Sequence, residues 1–202
     1  MDEASVSPVE VRALVRAAAA GDTAAFRRLV ELHMRAVYGL GLSILGDPDD
    51  ADDVAQETFV RAWIALDRYD ERFAFYTWLR TIATRLALNV RAKRRRRRTE
   101  GGESFDAASE TVADPGADPA TNAAVAELRG RLEAALAQLP AEQRAVLVLR
   151  GQEGMSYAEI AAALEVPVGT VMSRLARARE RLRGLLREAG AASVAEDGKE
   201  RA

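Results

Sequence analysis

The sequence predicts an all-α protein made of two small helical domains joined by a flexible linker. Three observations predict it. Nearly every apolar repeat in the 202 residues has helical spacing, and no stretch alternates as a strand does. The stretch Thr99–Asn122 is acidic, poor in bulky apolar residues and interrupted by Gly101, Gly102, Pro115, Gly116 and Pro119, so it buries too little surface to fold. Ser156–Arg183 reads as two helices on either side of a tight break at Glu165-Val166-Pro167, where proline cannot continue a helix interior but fits the first turn of the next. These features divide the chain into an N-terminal domain at 1–98, a linker at 99–122, a C-terminal domain at 123–189 and a disordered tail at 190–202. A free linker of that length spans roughly 25–30 Å.

The elements follow in order. A first helix is expected from Val9 to Ala20, ended by Gly21. Asp22 is a natural N-cap for a longer helix reaching Leu45. Gly46-Asp47-Pro48-Asp49 breaks it, and Asp49 or Asp50 is expected to cap a third helix to about Leu66. There Ala55, Phe59, Ala62 and Leu66 form the inward stripe. Asp67–Tyr76 reads as a charged, aromatic loop, followed by a helix from Thr77 to about Arg94 with Leu79, Ile82, Ala83, Leu86 and Val90 buried. In the second domain Ile160, Ala161 and Leu164 line one helix, and Val171, Leu175, Ala178, Leu182 and Leu185 the next.

Composition narrows the function. Without cysteine there is no disulfide framework, thiol chemistry or cysteine zinc site. The single histidine, His33, lies within an apolar-periodic helix and is given no role. The acidic run DPDDADD lacks the glycine and closing glutamate of a calcium loop, so helix capping explains it better. No metal, cofactor or catalytic residue is expected, and no Ser/His/Asp arrangement or phosphate loop argues for an enzyme. There is no signal-peptide core and no apolar run long enough for a membrane, which predicts a cytoplasmic protein without membrane contact of its own. The net charge is only −2, but its distribution is uneven: Arg91–Arg98 holds seven basic residues in eight, whereas Glu100–Asp118 holds six acids and no base.

Three faces carry the functional reading. In the last helix Thr170, Ser173, Arg174, Arg177 and Arg181 fall together, and Val168 leads into them. A helix, a tight turn and a second helix with an Arg/Ser/Thr face suit the DNA major groove, where Arg makes bidentate contacts and Ser or Thr permits close approach. In the helix after Thr77, Trp78, Thr81, Arg85 and Asn89 share a face that flows into Lys93, Arg94 and Arg95, with Phe75 and Tyr76 just upstream. Aromatic, amide and basic groups in that order suit unstacked bases followed by a phosphate backbone. For Phe75 and Trp78, burial in the core is the equal alternative. In the third helix Asp53, Gln56, Glu57, Val60 and Arg61 face away from the buried stripe, a mixture suited to protein contact.

These residues resemble a known family. DADDVAQETFVRAW, ending at Trp63, is similar to region 2.2 of the extracytoplasmic-function (ECF) sigma factors of the sigma-70 group. FYTWLRTIATRLALNVRAKRRRR resembles regions 2.3 and 2.4, LPAEQRAVLVL region 4.1, and SYAEIAAALEVPVGTVMSRLARARERL region 4.2. The resemblance implies a sigma-2 type bundle and a sigma-4 type helix-turn-helix. It implies core RNA polymerase as partner, through the clamp helices of its largest subunit and the flap of its second. It also implies promoter DNA and an anti-sigma factor. Asp53, Gln56 and Glu57 then match the clamp-docking motif, with Phe59 as support. The loop Asp67–Tyr76 matches the part that captures a flipped −10 base, and Thr170, Ser173, Arg174 and Arg177 match the reader of the −35 element. Arg85 and Glu165 depart from the family's frequent asparagine and glycine. Two rival readings remain: a stand-alone helix-turn-helix regulator, which leaves the Trp78–Asn89 face unexplained, and an interaction adaptor without a DNA role.

Overall fold

A computed structural model describes residues 6–100 and 119–200, and the described residues are helical with no strand. The chain divides into two compact units, Met1–Glu103 and Ser104–Ala202.

In the first unit α1 (Pro8–Ala19) starts with a reciprocal cap, in which Ser7 accepts from the Glu10 amide and Glu10 accepts from the Ser7 amide. α2 (Thr23–Leu45) starts at Asp22, whose carboxylate accepts from the amides of Ala24 and Ala25, and ends at a left-handed Gly46. α3 runs from Pro48 to Ile64. Its cap is Asp47, not Asp49 or Asp50: the Asp47 carboxylate accepts from the Asp50 amide, because Pro48, fixed in φ and lacking an N–H, is already the first helical residue. A short 3₁₀ turn (Leu66–Arg68) follows, and α4 runs from Phe75 to Glu100. α2, α3 and α4 pack together around Leu29, Val37, Leu40, Ile44, Val54, Phe59, Leu79 and Ala83, while α1 lies across α2 and the 3₁₀ turn.

α4 extends past Arg94, the expected end. Arginine is a good helix former, and cations are favoured at a helix C-terminus. Two arginines up to that point hold this end of α4 to its neighbours: Arg91 donates to the Ile44 carbonyl at 2.9 Å, and Arg94 reaches Asp47 at 2.9 Å and Asp50 at 2.8 Å.

The second unit holds α5 (Pro119–Ala137), α6 (Ala141–Gly151), α7 (Tyr157–Leu164) and α8 (Val168–Glu200). α5 and α4 therefore take up both ends of the expected 99–122 linker, and the rest of it lies outside the described residues. α8 likewise continues through 190–200, assigned above to a disordered tail. Ala191, Ala192, Ala195 and Glu196 favour helix, and Gly190 and Gly198 each cost only about 1 kcal/mol against alanine. Leu139, Val146, Leu149, Ile160, Val171, Leu175 and Ala178 form this unit's core.

Candidate protein and nucleic-acid interfaces

α3 turns Ala55, Phe59 and Ala62 inward and leaves Asp53, Gln56, Glu57, Val60 and Arg61 outside. Phe59 is buried, as its phase predicts. Within the outer face Arg61 pairs with Glu57 at 2.7 Å, and the Gln56 amide donates to Asp52 at 2.7 Å. Val60 is 53% exposed and Ile64 73%. Ile64, one turn after Val60, shares this outer face, as the helical phase of the sequence predicts. Trp63, beside it, packs edge-on against Phe26 at 4.8 Å.

The aromatic residues around the start of α4 separate into core and surface. Phe75 is 2% exposed, with its ring 5.5 Å from Tyr69, 5.6 Å from His33 and 5.8 Å from Trp78. It is a core residue and not a DNA contact, because exposing it would unpack three neighbours. Tyr76 stacks on His33 at 6.0 Å and Trp78 leans on Tyr69 at 5.4 Å; both are half-buried, so part of each ring is open. Burial pushes the His33 imidazole below its ordinary pKa, and its Nε2 is buried without a hydrogen-bond partner. Phe73 belongs to the loop Asp67–Tyr76 singled out in the sequence. It sits in the loop before α4 and is 55% exposed.

Along α4, Thr81 is half-buried, with its hydroxyl donating to the Thr77 carbonyl, and Arg85, Asn89 and Lys93 continue outward at one-turn intervals. Arg94 is on the other side. It bridges Asp47, whose side chain is 8% exposed, and Asp50. The Asp50 amide, and after it Arg94, hold the Asp47 carboxyl below the usual range, whereas burial pushes that of Asp50 upward. Arg94 therefore binds α4 to the start of α3. Nothing in a run of like residues distinguishes it. The Arg95 side chain lies outside the described residues.

In the second unit Ser156 and Glu159 form a reciprocal cap on α7. The turn after α7 depends on Glu165, which adopts a left-handed conformation (φ 54°, ψ 44°). Glycine reaches that region freely, but a side chain costs about 1–2 kcal/mol. The turn geometry is thus kept, with strain, where glycine is absent. α8 then presents Val168, Ser173, Arg177 and Arg181 on the surface and a half-buried Thr170, whose carbonyl accepts from the Ser173 hydroxyl at 3.0 Å. Arg174 is half-buried and paired at 3.1 Å with Glu142 of α6, a partner the sequence did not suggest. On the far side Arg183 bonds to the Arg179 carbonyl, and Arg179 borders an apolar groove of about 590 Å³ walled by Leu132, Leu136, Leu147, Val148, Leu175 and Leu182.

Among the described residues no helix is long and apolar enough to cross a membrane. The chain matches two protein families, "Sigma-70 region 2" over residues 29–99 and "Sigma-70, region 4" over residues 129–182. The RNA polymerase sigma-H factor of Pseudomonas aeruginosa is 39% identical over 184 residues, 87% of this chain and 95% of that protein. The ECF RNA polymerase sigma factor SigW of Bacillus subtilis is 35% identical over 173 residues, 83% of this chain and 92% of that one. Among solved structures, the sigma factor RpoE in complex with the anti-sigma factor NepR from Bartonella quintana superposes with a TM-score of 0.63 at 27% identity, covering 80% of this chain and 96% of RpoE. CnrH in complex with the cytosolic domain of CnrY gives 0.61 at 32% identity, covering 89% and 98%. The two matched regions are those whose motifs stand in the sequence, in the same order, and they place the chain in the sigma-70 family among its extracytoplasmic-function sigma factors.

Proposed function

We propose that this chain is an alternative sigma factor whose two units divide promoter recognition between them. The observation that carries the reading is the pairing, in one chain, of a helix-turn-helix with an exposed Arg/Ser/Thr face and a region 2 bundle that exposes an acid, amide and aliphatic face on α3. Core polymerase docks on Asp53, Gln56, Glu57, Val60 and Arg61, extended by Ile64. Tyr76, Trp78, Thr81, Arg85, Asn89 and Lys93, with Phe73, hold opened −10 DNA. Extruding a base costs a few kcal/mol, which stacking and hydrogen bonds in a pocket offset. Val168, Thr170, Ser173, Arg174, Arg177 and Arg181 enter the −35 major groove. The groove beside Arg179 takes an apolar segment, for which the flap of the polymerase's second subunit is the candidate.

No bond is made or broken by the chain in this scheme, and it acts in the cytoplasm. The first working domain runs through α4 and the second from α5, joined by the stretch between them. An anti-sigma factor, the partner of RpoE in the related complex, is the expected inhibitor.

The test is promoter-dependent transcription with purified core RNA polymerase, comparing wild type with Asp53→Arg/Glu57→Arg. The double variant is expected to stay helical by circular dichroism yet lose co-purification with core polymerase. Retained binding removes this face from the interface.

A further inference from the structure

The loop between the 3₁₀ turn and α4 is closed on itself. The Phe73 amide donates to the Asp70 carbonyl at 3.1 Å, the Arg72 amide donates to the Asp70 carboxylate at 3.0 Å, and the Tyr69 hydroxyl donates to the Phe73 carbonyl. The Arg72 guanidinium also folds onto Asp70. These bonds close the turn and leave the Phe73 ring outside, but they are few and exposed, so the turn opens locally unless something outside it holds it. They do not fix how the turn is inclined against the helices. The Tyr69 ring, set against Phe75 and Trp78, gives one attachment.

The second attachment comes from α1, an element with no role so far. Arg16 grips Glu71, near the middle of the turn, with a fork: Nε stands 2.9 Å from Oε1 and 3.1 Å from Oε2, and a terminal nitrogen 2.6 Å from Oε2. The pair joins residues 55 apart in sequence. Both side chains are partly exposed, so the pair adds little to global stability, but a bidentate arginine fixes direction as well as distance. Arg12, one helical turn earlier, adds charge toward the same carboxylate. The hydrogen bond from Arg16 is the main cause holding the Glu71 carboxyl below its ordinary range.

We propose that Arg16 is a positioning residue for −10 recognition: by gripping Glu71 it sets the inclination of the Tyr69–Phe73 turn, and so the place where Phe73 meets an unstacked base. The inference rests on the assignment of this surface to the −10 element. α1 thereby contributes to base preference without touching DNA.

The experiment uses the full chain in two measurements. Hydrogen exchange on the free protein reads the turn directly. Arg16→Ala and Glu71→Ala should each speed exchange at the amides of Arg72 and Phe73 by roughly two- to fivefold, the range an exposed pair supports. Transcription with core polymerase from promoters randomised across the −10 element reads the consequence. Each variant should flatten the preference at one −10 position by a similar factor, while core affinity and −35 preference stay unchanged. The double variant should do no more than either single one, because both remove the same contact. Arg16→Lys should restore only part, since a point charge lacks the fork.

Faster exchange with an unchanged −10 preference overturns the proposal, as does unchanged exchange. Phe73→Ala separates the two levels of the argument. If it flattens the −10 preference while Arg16→Ala does not, the positioning role fails alone. If neither does, the −10 assignment of this surface fails and the proposal falls with it.

Discussion

At the residue scale, neighbouring side chains of the same type do different work. Arg174 and Arg177 are three positions apart, yet Arg174 is braced by Glu142 and Arg177 stands in solvent. An arginine held by a carboxylate approaches a base edge with its direction already set. Arg174→Ala is therefore expected to cost about 1–3 kcal/mol and relax one −35 position. Glu142→Ala should relax the same position by less, as scored on promoters with randomised −35 sequence. Arg179→Ala should leave that profile unchanged. His33 gives a second residue-scale expectation. Burial lowers its folded pKa, so its contribution is fully present above the ordinary imidazole range and is lost as pH falls through that range toward the lowered value. Urea midpoints at about pH 7.5 and about pH 5.5 should differ more for wild type than for His33→Gln. A midpoint difference that survives the substitution assigns the acid sensitivity to other groups.

At the element scale, the helices were legible because their apolar periods and caps are local. Asp22 caps α2 where the sequence suggests, and the stripe through Ala55, Phe59 and Ala62 is buried as its phase predicts. Roles set by distant partners were not legible. Arg91 and Arg94 look like the rest of their run until the end of α2 and the start of α3 supply a carbonyl and two carboxylates. Phe75 and Phe73 are two residues apart, and only the packing of Tyr69, His33 and Trp78 decides that the first is core and the second surface. The cap of α3 was misplaced because Pro48 takes the first helical position, which puts the cap at Asp47, two residues before Asp49. The turn after α7 gives the element-scale prediction. Glu165→Gly should relieve the left-handed strain, offset in part by the greater unfolded freedom of glycine, for a net gain of roughly 0.5–1 kcal/mol. In a unit of this size that is a rise of a few degrees in thermal midpoint. A fall instead of a rise shows that the Glu165 side chain holds the turn by its own contacts.

At the scale of the whole molecule, each unit has its own buried core and its own exposed functional faces. Fragments 1–103 and 104–202, made separately, should each unfold cooperatively, and the first alone should still co-purify with core polymerase. A fragment that melts without a cooperative transition shows that its core is completed by the rest of the chain. The brace between α6 and α8 bears on how promoter specificity is transplanted between relatives. A chimera that exchanges the reading helix alone separates its arginine from the carboxylate that braces it here, and where the host helix offers none the new preference will be blurred. The smallest portable cassette runs from Pro140 to the far side of α8, so designed libraries should vary positions 142 and 174 as a pair.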